Sequence, residues 1–106
     1  MKVWLDDVRP APEGWLHVLT PEAAIDLLRS GEVEEISLDH DLGLFTQEGK
    51  EHTGYEVLLF IEREVAMGTL SFAVPEIHIH SASSVGRRRM EQAIASINRL
   101  AAASSE

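Results

Sequence analysis

The chain predicts a small α/β domain on a mostly parallel, four-stranded sheet, and three observations carry that expectation. Short apolar runs alternate with stretches of helical periodicity, in the order strand, loop, helix, strand, loop, helix, strand, helix, with a short edge strand inside the first loop. Three of these runs, Val3-Trp4-Leu5, Ile36-Ser37-Leu38 and Ile77-His78-Ile79, are followed directly by matched polar residues: Asp6-Asp7, Asp39-His40-Asp41 and His80-Ser81. At 106 residues there is room for one core and therefore one domain, 1–106.

Each element follows from local chemistry. Lys2 to Leu5 is the first strand. Arg9-Pro10-Ala11-Pro12-Glu13-Gly14 cannot be regular, because its two prolines lack a donor and lock φ. Trp15 to Leu19 reads as a parallel edge strand reached by an extended crossover. Residues 8–14 can climb back along the first strand, since about 3.3 Å per residue gives a reach of roughly 23 Å. Thr20-Pro21 opens a helix with a hydroxyl cap and proline at the first position. Ala24, Leu27 and Leu28 mark its buried stripe, and Gly31 stops it.

Ile36 to Asp39 is the next core strand, and Leu42 to His52 reads as a polar loop with Gly43 and Gly49. Thr53-Gly54-Tyr55-Glu56 matches a capping box. The helix behind it buries Val57, Leu58, Phe60, Ile61 and Val65. Pro75 to His80 is the last strand. Ser84 caps a final helix whose inner face carries Met90, Ala93, Ile94, Ile97 and Leu100, and the tail from Ala101 to Glu106 frays.

Composition removes several functional classes. Hydrophobic residues make up 44% and charged residues 25%, as in ordinary soluble domains. There is no membrane-length apolar run, no signal-peptide pattern and no cysteine, which points to the cytoplasm and rules out thiol chemistry. The net charge of −9, from 18 acidic and 9 basic residues, repels an extended phosphate backbone. Contact with a single nucleotide or strand end is compatible with the one basic cluster, Arg87-Arg88-Arg89.

In an open parallel sheet, ligands collect beyond the carboxyl ends of the strands. The three polar clusters would therefore meet on one rim. Crowded carboxylates call for a cation, and Mg²⁺, with Mn²⁺ as substitute, suits oxygen ligands supplied by Asp6, Asp7 and Asp39. Asp41 would orient His40 or a water. His40 and His80, at strand ends, suit acid–base work together with Asp39. His78, on the same face of its strand as His80, reads as a core or helix-facing histidine with a satisfied hydrogen bond. His17 and His52 fall outside the predicted site. Arginines at a helix start oppose its dipole by about 0.3–1 kcal/mol each, a penalty that a bound anion reverses. Arg87, Ser81, Ser84 and, from the first loop, Arg9 are thus the candidate phosphate ligands.

Taken together, these residues resemble the receiver domains of two-component signalling. Asp6-Asp7 resembles the acidic metal pair, Asp39 the phosphoacceptor, and Ser81-Ala82 the small hydroxyl and alanine after the fourth receiver strand. The receiver lysine has no counterpart, because the only lysines are Lys2 and Lys50. A closer resemblance is to the cyclic-phosphate processing receiver domains. It rests on the stretch from Leu5 to Trp15, on Ser37-Leu38-Asp39-His40-Asp41-Leu42-Gly43, and on Ile79-His80-Ser81 with Val85-Gly86 and Met90. The resemblance implies a small three-layer, receiver-like (flavodoxin-like) domain, truncated by loss of the first receiver helix and the fifth strand. It also implies a metal-dependent phosphoesterase acting on a 2′,3′-cyclic phosphate or related nucleotide or RNA end. The alternative is a non-enzymatic phosphate-sensing or protein-interaction module with Asp39 as phosphoacceptor. A third expectation, a transition-metal hydrolase, would use His40, His78, His80 and the aspartates.

Overall fold

The computed structural model describes residues 1–45, 47–49, 51–81 and 84–104. Four strands form a parallel sheet: β1 (Lys2–Leu5), β2 (Trp15–Val18), β3 (Glu35–Leu38) and β6 (Glu76–Ile79), in the order β2-β1-β3-β6. A second, antiparallel pair joins β4 (Asp41–Phe45) to β5 (Glu51–Thr53). Three helices complete the chain: α1 (Pro21–Arg29), α2 (Tyr55–Met67) and α3 (Ser84–Ser104). This is a truncated receiver-like fold, and among the described residues no helix is long and apolar enough to cross a membrane.

The parallel edge strand expected at Trp15 is present, with Lys2 beside Trp15 and Leu5 beside Val18. Its approach is fixed locally. The Trp15 amide donates to the Pro12 carbonyl at 3.1 Å, Gly14 adopts φ 88°, and the Trp4 indole N–H donates to the Arg9 carbonyl at 3.2 Å. A left-handed φ of this kind suits glycine, which lacks a Cβ. The α1 start is also as read: Thr20 accepts from the Ala23 amide at 3.1 Å, with proline in the first turn.

Strand parity divides the sheet. Val3, Leu5, Ile36, Leu38, Ile77 and Ile79 share one face and pack with Ala24, Leu28, Val57, Leu58, Ile61, Met90 and Ile97 from all three helices. All five residues expected in the α2 stripe are buried. The opposite face carries Lys2, Trp4, Trp15, His17, Glu35, Ser37, Glu76 and His78, none of which joins that core. The layer count therefore departs from expectation. Among the described residues the helices cover one face only, because the β1–β2 crossover is an extended loop with no helix to lay on the other.

Four local expectations are corrected. The polar loop at Leu42–His52 is a β-hairpin: Leu42 is buried, Leu44 pairs with His52, and Gly49 turns the chain at φ 83°. The capping box at Thr53 does not form. Gly54 occupies the cap position without a side-chain bond, since Glu56 instead accepts from His52. Ser84 does not cap α3 but is its first residue, and the preceding position lies outside the described residues. The tail expected to fray from Ala101 is helical to Ser104, and its last two residues lie outside the described residues.

The close approach of α2 to β3 requires glycine at position 54, where a Cβ would overlap the Asp39 carbonyl oxygen. Gly54→Ala should therefore lower the unfolding free energy by about 1–3 kcal/mol, the usual cost of overpacking. Urea denaturation with an unchanged m-value would check this.

Candidate functional site

The rim is built by ladder hydrogen bonds that continue one residue past each strand. Asp6 donates its amide to the Val18 carbonyl at 3.2 Å, Asp39 to that of Leu5 at 3.0 Å, and His80 to that of Leu38 at 3.0 Å. These bonds hold residues distant in the chain side by side. Carboxylate oxygens of Asp6, Asp7 and Asp39 consequently lie within 4.8 Å of one another. Three hard oxygen donors at this spacing fit a small divalent cation such as Mg²⁺.

Asp6 is the anchor of the group and is 1% exposed. Its Oδ1 accepts the amides of Val8 at 2.8 Å and Arg9 at 2.9 Å, and its Oδ2 lies 3.0 Å from His80 Nε2. Burial pushes this carboxyl up, but the two backbone N–H groups and His80 outweigh it and hold the group below the ordinary carboxylate value. Asp39 goes the other way. Burial, then the neighbouring charge of Asp6, pushes its carboxyl above the ordinary value, with smaller contributions from Asp41 and Asp7.

His80 lies at the rim beside Asp6, with partners on both sides of its ring. Burial holds its imidazole below the usual histidine value, against the pull of Asp6. A carboxylate can only accept, so Nε2 carries the proton and donates to Asp6. Nδ1 then accepts from the Ser37 hydroxyl at 2.7 Å. The ring also stacks on Trp4, with centroids 3.7 Å apart and planes at 5°. Both nitrogens are hydrogen-bonded inside the protein, so His80 links Asp6 to Ser37.

His40 lies at the other side of the rim. Its Nδ1 is 2.8 Å from Asp41 Oδ1, so Asp41 does orient His40. The ring packs against the start of α3, where a Cβ on Gly86 would overlap it. The candidate anion ligands divide. Arg9 Nη1 donates to the His80 carbonyl at 2.8 Å and Arg87 Nη1 to the Ile79 carbonyl at 3.1 Å, so both guanidinium groups meet at the exit of β6. Arg87 also pairs with Glu91 at 3.1 Å. Ser81 is buried at the same exit. Ser84 lines an outer hollow of α3 with Val85, Arg88, Arg89 and Gln92.

His78 is corrected. It is exposed on the uncovered face, beside Glu76 at 3.7 Å, and does not face a helix. Among the described residues His40, His78 and His80 form no common metal cluster; His78 groups instead with Glu35 and Glu76. Sequence reasoning missed Ser37, Trp4 and His17. Each sits on the uncovered face, and His17 Nε2 lies 2.7 Å from the Asp6 carbonyl. The signal was available in the alternation of β3, where Ser37 interrupts an apolar run and marks the non-core face.

Comparison with protein families gives a match over residues 1–96 to a model described as Cyclic-phosphate processing Receiver domain. No curated protein and no solved structure gives a match.

The two anchoring aspartates should respond oppositely to neutralisation. The Asp39 carboxyl titrates above 3.8 in the folded chain, so the folded state binds more protons there and stability falls as pH rises through that window. Asp39→Asn should therefore stabilise the metal-free protein at neutral pH, with the gain vanishing below pH 3.8. Asp6 titrates below 3.8, so its contribution is present above that value and is lost as pH falls through the folded value. Asp6→Asn should destabilise at neutral pH. Urea denaturation in chelator across a pH series would check both signs.

Proposed function

Because the chain belongs to the family of cyclic-phosphate processing receiver domains, we propose that its rim is a metal-dependent phosphoesterase site for a 2′,3′-cyclic phosphate on a nucleotide or RNA end. The observation that carries this is the meeting of Asp6, Asp7 and Asp39 within 4.8 Å, beside two guanidinium groups at the exit of β6. Anionic ligands alone would hold a cation, and arginines alone an anion. Their adjacency suits a phosphate that needs both.

Asp6, Asp7 and Asp39 would hold Mg²⁺ or Mn²⁺, which supplies Lewis acidity and charge neutralisation when bound. Arg9 and Arg87 bind the non-bridging oxygens, with Ser81 beside them. His40 accepts a proton from the attacking water through Nε2, since Asp41 fixes Nδ1. Water oxygen bonds to phosphorus, and one ring P–O bond breaks. The proton passes to the departing ribose oxygen, leaving a phosphomonoester and a free hydroxyl. His80 and Ser37 keep the Asp6 carboxylate in place through the chain of bonds described above.

The alternative, phosphoryl transfer to Asp39 in a sensing module, has less support. A receiver uses a lysine at the rim; among the described residues the one lysine, Lys2, lies at the opposite end of β1, pairing with Glu35 at 3.9 Å, and Lys50 lies outside them. Labelling of Asp39 by acetyl phosphate without turnover of cyclic phosphates would favour that alternative.

Purified protein with Mg²⁺ or Mn²⁺ should open nucleoside 2′,3′-cyclic phosphates, followed by phosphorus NMR. His40→Ala should lower kcat by about 10²–10⁴-fold, the usual worth of a positioned acid–base group. Ser37→Ala, which removes an outer support of Asp6, should cost about 10–100-fold in metal affinity or activity. Absence of turnover with both metals, in protein whose circular dichroism shows it folded, would refute the assignment.

A further inference from the structure

The sheet face left without a helix is not a generic surface. Its strand residues and the residues just beyond them include Trp4, Trp15, His17, His78 and His80. The chain has only two tryptophans and five histidines, so both tryptophans and three of the histidines collect here. A face exposed only by default would be expected to carry polar and charged groups. Rings are costly to leave half-exposed, and their concentration calls for an aromatic ligand or a cover.

The rings are organised. Trp15, on the edge strand β2, reaches across the sheet. It meets Trp4 edge-on at 6.1 Å and His78, on the far strand β6, edge-on at 6.5 Å. Lys2 Nζ lies 5.8 Å from the Trp15 centroid. Trp4 in turn stacks on His80, the same ring that donates to Asp6. The aromatic face is thus continuous with the acidic rim through one shared side chain. Arg9 spans the two as well, since its carbonyl takes the Trp4 indole N–H and its guanidinium reaches the exit of β6.

We infer that this uncovered face is the base-stacking platform of the site, with Trp15 as the residue that selects a nucleoside over other cyclic phosphates. The inference rests on the cyclic-phosphate assignment above. A phosphate in the rim would leave its organic group facing β1 and β2, and a flat, apolar group is what these rings accept. Uncovered four-stranded sheets bind single-stranded RNA in this way, by stacking bases on surface aromatics. Glu35 and Glu76 on the same face, with the net charge of −9, confine the contact to one or two terminal nucleotides. A second copy of the chain or a partner helix covering the same rings is the competing occupant.

The test compares a nucleoside 2′,3′-cyclic phosphate with the abasic ribose 2′,3′-cyclic phosphate, both with Mn²⁺. Stacking on one tryptophan should favour the nucleoside in kcat/KM by about 5–100-fold, mostly through KM. Trp15→Ala should bring the two substrates to parity, and Trp15→Phe should restore most of the preference. Equal KM values in the wild type would overturn the platform while leaving the phosphoesterase assignment intact. If neither substrate turns over, that assignment fails, and intrinsic fluorescence decides the platform alone. Both tryptophans report on this face, so saturable quenching by an adenylate dinucleotide, weakened in Trp15→Phe, would support it. Fluorescence that ignores the dinucleotide, or shifts only with protein concentration, would overturn it.

Discussion

Leu5, Leu38 and Ile79 lie side by side in parallel register, and everything at the rim depends on that alignment. Each ends a strand, and each is followed by a residue still held in the backbone ladder. Parallel pairing makes the next side chains emerge at one edge, so residues 74 positions apart, Asp6 and His80, come within hydrogen-bond distance. An antiparallel β2 would have sent the following helix back from the other end of the sheet and put Asp39 remote from Asp6. The nine-residue crossover before Trp15 therefore matters more than its irregular look indicates. It returns the chain to the amino end without a helix, and the later strands of the four-stranded sheet run the same way.

The same alignment creates an electrostatic problem and resolves half of it. Three carboxylates cannot crowd together without cost. Asp6 is stabilised by fixed donors, two amides and an imidazole, none of which must be reorganised when a ligand arrives. Asp39 has the His40 backbone as a donor, but burial and then the neighbouring charge of Asp6 outweigh it, and its proton is held more tightly as a result. The site is thus asymmetric, with one rigid acceptor and one strained one. A cation would relieve the strained member most, which makes Asp39 the sensitive reporter of occupancy. Ser37, His80 and Trp4 sit behind the rigid member, linked to it by hydrogen bonds and stacking.

Omitting a helix from the crossover has a second consequence. It strips one layer from the fold and leaves the non-core parity of the sheet strands without a covering helix among the described residues. Serine, histidine and tryptophan at those positions would be odd choices beneath a covering helix. On a bare face they form a connected array that leads into the acidic rim. Economy of structure at the crossover and chemistry on the sheet thus share a cause.

Much of this was legible in the residues alone. Apolar runs and capping chemistry located the four sheet strands and α1, and the stripe of α2 was read correctly because helical period leaves little choice of face. Matching polar clusters after three runs predicted that Asp6, Asp7 and Asp39 would meet. What the residues could not supply was anything that depends on who stands next to whom. The hairpin at Asp41–Phe45 was hidden because a Gly43 inside a short apolar run reads as loop until a partner strand is seen. The type of His80 is visible in one dimension, whereas the partners of its two nitrogens come from β3 and the end of β1. The number of layers was likewise decided in three dimensions. Periodicity tells which side of a strand is buried, but only the packed chain shows whether anything lies over the other side.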